Sequence, residues 1–164
     1  MLRSYRTQAM AVAAAGSSLV SSRRRRLLLK AAGVESENPS IIHRGVIVQG
    51  QGKLRLGAGV FVNYGCYFDI VGDITVGPRV FIADHVRVLT SSHELGAGEQ
   101  RASTLKADPV EIGAGSWIGA GAVIMPGVTI GPGTVIAANS LVTADCESDS
   151  LYVGSPAKLR RRLP

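Results

Sequence analysis

Ile112, Ile118, Ile124, Ile130, Ile136 and Val142 stand six residues apart in one uninterrupted stretch. A period of six suits neither an α-helix, at about 3.6, nor a single strand, at about 2. It suits a chain wound as a coil of short strands, in which every sixth side chain points at a common axis. That is the pattern of a parallel β-helix built from hexapeptide repeats. The remaining positions keep the same time. Two residues before each aliphatic lie Val110, Ser116, Ala122, Val128, Thr134 and Ser140, all small or β-branched; three after lie Gly115, Gly121, Gly127, Gly133, Asn139 and Asp145. Gly and Asn accept φ > 0, so these last positions are expected to be corners.

The period also runs upstream through Leu56, Val62 and Phe68, then Val76, Ile82 and Val88, with Ile42 and Val48 as an earlier rung. Phe68 to Val76 is a step of eight, so two extra residues near Asp69–Gly72 imply a bulge or wider corner. Three hexads close one triangular coil, and the repeats support roughly five to six coils stacked about 4.8 Å apart. Each inward aliphatic leaves water completely, a gain of about 1.5–3 kcal/mol. One coil cannot bury its own core, whereas a stack can.

The 164 residues suffice for one domain with appendages, and 20 glycines with 5% aromatics suit a narrow prism with tight corners. The net charge of +6 is unevenly spread. Residues 1–30 hold Arg3, Arg6, Arg23, Arg24, Arg25, Arg26 and Lys30 without an acid, leaving 11 bases against the chain's 12 acids beyond them. The repeat region is therefore near neutral, and no nucleic-acid partner is expected. Cys66 and Cys146 match no metal spacing and fit a reducing compartment, with no disulfide between them. The Ala-rich stretch Ala9–Val20 only half fits a secretory signal and falls far short of a ~20-residue membrane span. It is expected to form a helix beside the prism. Arg23–Arg26 with Leu27–Leu29 is a candidate contact for an anionic membrane surface. The expected organisation is a basic segment over residues 1–40, a β-helix over 41–156 and a basic tail over 157–164.

One insertion, residues 89–109, breaks the rungs, and loops on rigid scaffolds tend to carry function. It opens with Ser91-Ser92-His93-Glu94, 30 residues after Asn63 in FVNYGCYFD. WIGAGAVIMPGVTIG and YVGSPAKLRR follow. In these pieces and their order, residues 55–162 resemble the maltose/galactoside O-acetyltransferases of the hexapeptide-repeat acyltransferase superfamily. The resemblance implies a left-handed parallel β-helix and direct acetyl transfer from acetyl-CoA to an acceptor hydroxyl, with no covalent enzyme intermediate. It also implies a homotrimer whose CoA groove is closed by a neighbouring prism.

On the same resemblance, His93 is the general base, since imidazole is suited to taking a proton near neutral pH. Asn63 holds the acceptor or the reacting groups. The backbone N–H near Ala120 receives the oxyanion, and Trp117 walls the site. Asp69 lines the acceptor pocket or serves only as a corner. Ala120, Ala138 and Thr143 contact CoA, whose phosphates meet Lys158 and Arg160. Ala144 stands where the sugar enzymes commonly have lysine, and the Arg-rich N-terminus replaces their acidic helical region. Both departures leave the acceptor open, a sugar or glycan hydroxyl or else an antibiotic hydroxyl. Two other classes share the prism. A zinc carbonic anhydrase needs three closely arranged histidines, a spacing that His43, His85 and His93 lack; a non-catalytic scaffold would not bind CoA. No metal is expected, and the expected location is the cytoplasm, peripheral to the inner membrane face.

Overall fold

A computed structural model describes residues 5–164; Arg3, counted above among the N-terminal bases, lies outside them. The chain forms a left-handed parallel β-helix of about six turns, preceded by two helices, α1 (Tyr5–Gly16) and α2 (Ser22–Ala31). Strands of two or three residues stack into three faces. The first face holds Val34–Ser36, Leu54–Leu56, Ile74–Val76, Val110–Ile112 and Thr129–Ile130. The second runs from Ile41–Ile42 through Phe61–Val62, Phe81–Ile82, Trp117–Ile118 and Val135–Ile136 to Ser150–Gly154. The third stacks Ile47–Gln49, Tyr67–Asp69, Arg87–Val88, Val123–Ile124 and Leu141–Val142.

All six aliphatics of the repeat are buried, as are the small residues two positions before them. The buried corner hydroxyls are satisfied locally: Ser116 donates to the Gly131 carbonyl at 3.1 Å and Thr134 to that of Glu147 at 2.7 Å. Gly115, Gly121, Gly127, Gly133 and Asn139 turn with positive φ, but Asp145 does not, and Asp149 takes that conformation instead. The last coil explains the difference. Ile130 bridges Cys146 and Ile136 pairs with Tyr152, so that coil is 16 residues long rather than 18.

The eight-residue step recurs. Leu54 pairs with Ile74 and Val34 with Leu54, so the first coils are 20 residues long and their wide corners, 50–53 and 70–73, stack. The insertion leaves the prism at this same edge, where Asp108 N–H donates to the Thr90 carbonyl at 2.9 Å. It is not an irregular loop. Ser91–Leu95 pairs antiparallel with Ala102–Ala107, with an irregularity between His93 and Leu95. From residue 92 to 109 only Gly96 is partly buried, so the hairpin projects as an arm.

The β-helix begins at Val34, several residues before the boundary drawn from the hexads, and α1 and α2 pack on its open end. Gln8 donates to the carbonyls of Ala32 (3.1 Å) and Gly50 (2.6 Å). Arg25 is 5% exposed and donates to the carbonyls of Ala15, Ile42, Ser17 and Val20 at 2.7–3.1 Å. Leu29 is fully buried as well. Of the residues read as a candidate contact for an anionic membrane surface, Arg25 and Leu29 therefore belong to the core, while Arg23, Arg24 and Leu27 remain exposed. No helix among the described residues is long and apolar enough to cross a membrane.

Candidate functional site

The corners between the second and third faces form a column of Arg44, Tyr64, Asp84, Ala120 and Ala138. Gly65 belongs here because its φ is +66° and a Cβ would lie 2.5 Å from the His85 ring. Asn63 opens the next position. Its Nδ2 donates to Asp84 Oδ2 at 3.0 Å, and its Oδ1 accepts the Tyr64 N–H at 3.0 Å. Asn63 is thereby oriented while keeping one N–H and one lone pair. Two coils further, alanine replaces the larger corner residues. Among the described residues, the N–H groups of Ala120 and Ala138 are not taken by other backbone carbonyls, although their neighbours Gly121 and Asn139 are bonded.

A groove of about 590 Å³ runs along this column and the second face, lined by Asn63, Asp84, Trp117, Ala120, Ala138 and Leu151, among others. Trp117 is 54% exposed and forms its apolar wall with Phe81. The groove leads to Leu151, which pairs with Arg161 of the added antiparallel strand Ala157–Arg162. The expected basic tail is thus an ordered edge of the second face. Lys158 and Arg160 are exposed on it, whereas Arg162 is ion-paired with Glu147.

His93 lies elsewhere. It sits on the arm at the edge between the third and first faces, exposed, with Nδ1 2.8 Å from the Ser103 carbonyl. A carbonyl only accepts, so Nδ1 carries a proton, and in the neutral tautomer Nε2 is the ring's acceptor. Ser103 Oγ donates to the Glu94 carbonyl at 2.9 Å, locking the two strands around the imidazole. The arm is rooted by Asp69. Its Oδ2 accepts both the N–H (2.9 Å) and the hydroxyl of Ser91, and its Oδ1 accepts the Val71 N–H at 3.2 Å. Asp69 is 6% exposed, so of the two roles read for it the corner fits this geometry. Thr143 is also on this edge, away from Ala120 and Ala138.

The residues read as one site thus stand in two places on the chain. Asn63, Trp117, Ala120 and Ala138 share one groove, and His93 stands on an arm one prism face away. Asp84 and Ser103 were not found from sequence. Each acts through a partner 21 or 10 residues distant, and only the coil register and the hairpin bring them there. His43 packs its ring against Phe61 and Tyr64. No three His, Cys, Asp or Glu side chains cluster to hold a metal among the described residues.

Residues 109–144 match the bacterial transferase hexapeptide (six repeats) family, which puts the repeats of this chain in the hexapeptide-repeat superfamily. A Staphylococcus aureus (strain COL) protein provisionally named an acetyltransferase is 42% identical over 111 residues, 68% of this chain and 56% of that protein. The chain spans about half the length of the curated relatives it matches. A hexapeptide-repeat acetyltransferase from Vibrio cholerae, solved with acetyl coenzyme A, superposes with a TM-score of 0.85 at 27% identity, covering 97% of this chain and 86% of that one. A maltose O-acetyltransferase from Clostridium difficile 630 gives 0.71 at 25% identity, with the same coverage of each chain.

Proposed function

We propose that this protein is an acetyl-CoA-dependent O-acetyltransferase acting on a sugar or glycan hydroxyl, assembled as a homotrimer with each site shared by two subunits. The observation that carries the reading is the His93–Ser103 hydrogen bond, which turns Nε2 of an exposed imidazole outward as the free ring nitrogen on the arm. The similarity to acetyltransferases, one of them solved with acetyl coenzyme A, supports the donor.

In this reading the pantetheine lies in the groove past Trp117, with Ala120 and Ala138 N–H groups available to it. Lys158 and Arg160 meet the phosphates. His93 Nε2 takes the acceptor's hydroxyl proton as the oxygen attacks the thioester carbonyl carbon. The resulting oxyanion accepts from the Ala120 N–H. Its collapse expels the CoA sulfur, which takes the proton back from the imidazolium, giving an acetyl ester and free CoA thiol. Asn63, braced by Asp84, orients the acceptor; Asp69 is a positioning residue at the root of the arm.

Faces of opposite character support the assembly. Outward positions of the first face are Glu35, Arg55, Thr75, Glu111 and Thr129, with Glu35 and Asp73 paired to Arg55 and Lys53. Those of the second are Ile41, Phe61, Phe81, Trp117, Val135 and Leu151, with Phe61 and Phe81 stacked at 4.6 Å. A cyclic trimer buries apolar faces and brings each arm to a neighbour's groove. The test is release of CoA thiol from acetyl-CoA across a panel of mono-, di- and oligosaccharides and hydroxylated antibiotics. Turnover with an antibiotic alone would move the acceptor class; CoA binding without turnover on any hydroxyl would count against the reaction.

A further inference from the structure

α2 is arranged against its own electrostatics. Its first turn has no acid and Ser21 makes no side-chain cap, yet Arg23 to Arg26 crowd that end. A helix N-terminus carries about half a positive charge, so cations are unfavourable there. Arg25 is resolved by the carbonyls around it. Arg23, Arg26 and Lys30 are not: they recur at spacings of three and four, where like charges repel by ~0.2–0.5 kcal/mol per pair. No ion pair among the described residues includes them.

These three side chains line a cleft of about 640 Å³ between α2 and the first strand, with Ser36 and Asn38 opposite and Leu27 beside them. Glu35, the one acid lining it, is engaged by Lys53 at 2.6 Å and Arg55 at 3.5 Å. We propose that this cleft is a binding site for a small, multiply charged phosphate-bearing ligand. Three cations face a concavity of ligand size rather than a plane, and two neutral hydrogen-bonding residues close the far wall. Guanidinium groups grip phosphate oxygens in pairs. The site is distinct from that proposed for CoA. α2 packs on the first coil and Lys158 and Arg160 lie on the last, about five steps of ~4.8 Å away along the axis. Because the cleft joins the helical cap to the β-helix, its occupation stabilises the cap.

Inorganic pyrophosphate is the probe, titrated calorimetrically into the full-length protein. The expected result is saturable binding that Arg26→Gln/Lys30→Gln weakens by about tenfold or more, since charge-assisted bonds are lost. Asn38→Ala, on the opposite wall, should weaken it several-fold. Arg24→Gln, exposed but outside the cleft, should change it by less than about twofold. The absence of saturable binding to the wild type overturns the proposal. So does equal weakening by Arg24→Gln, which would indicate a general ionic atmosphere. Sedimentation with phosphatidylserine vesicles without pyrophosphate binding would overturn it in favour of a lipid surface.

Discussion

His93 and Asn63 do different work in the proposed reaction, and their substitution should separate the two. His93→Ala is expected to lower kcat by about 10²–10⁴ while CoA affinity stays within a few-fold, the usual consequence of losing a general base. Asn63→Ala should cost less and raise the acceptor KM, because the proposed role of Asn63 is to orient the acceptor rather than to take its proton. Steady-state kinetics with calorimetric CoA binding checks both. The cysteines give a residue-scale prediction independent of function. Burial pushes the thiols of Cys66 and Cys146 up to about 11. Their folded values lie above the unfolded ones, so the thiol form stabilises the fold below pH ~8.5, and that contribution is lost as pH rises toward 11. Native protein at pH 8 should resist a thiol reagent, and both cysteines should react once it is unfolded. Rapid labelling of the native chain would mean that the coil opens at Cys66.

The arm is the element on which the proposed chemistry depends, and Asp69 is its anchor. Asp69→Ala removes the carboxylate that accepts from the N–H and hydroxyl of half-buried Ser91 and from the Val71 N–H, a loss of about 1–3 kcal/mol for hydrogen bonds to a charged group. It should lower kcat and the melting temperature together while CoA binding in the distant groove persists. Substituting Lys106, exposed on the arm, should leave the melting temperature nearly unchanged. Ile124→Asp on the axis should unfold the prism, because a lone carboxylate cannot be solvated there. These contrasts follow what was legible in the chain. Axial positions such as Ile118 and Ile130 were readable because a period of six has one steric meaning. The arm was read as a loop because an antiparallel pair exposed on both sides shows no alternation of apolar residues. The repeated wide corner at 50–53 was visible only as a single break at Asp69–Gly72. The buried side of α2 was hidden because four consecutive arginines look solvated; nothing local marks Arg25 as the one that reaches four carbonyls.

At the scale of the molecule, the N-terminal helices close an end the coil cannot close alone. A chain beginning at Val34 keeps every repeat but loses this cap. With Gln8, Arg25 and Leu29 removed it exposes the first coil and leaves the Ile42 and Gly50 carbonyls without these partners, so its melting temperature should fall clearly. The trimer makes the sharper demand. Light scattering should give about three times the 17.1 kDa chain mass. The two partial sites then allow a complementation test. His93→Ala removes the base from the arm; Ala138→Trp fills the groove at an exposed position. Each variant alone should be inactive. In an equal co-expressed mixture, a subunit carrying Ala138→Trp supplies an intact arm to the open groove of one carrying His93→Ala. Random assembly should recover about a quarter of wild-type activity, provided each site draws its arm from one neighbour and its groove from another. No recovery in mixed trimers confirmed by mass would place arm and groove within one protomer, and the proposed shared site would be abandoned.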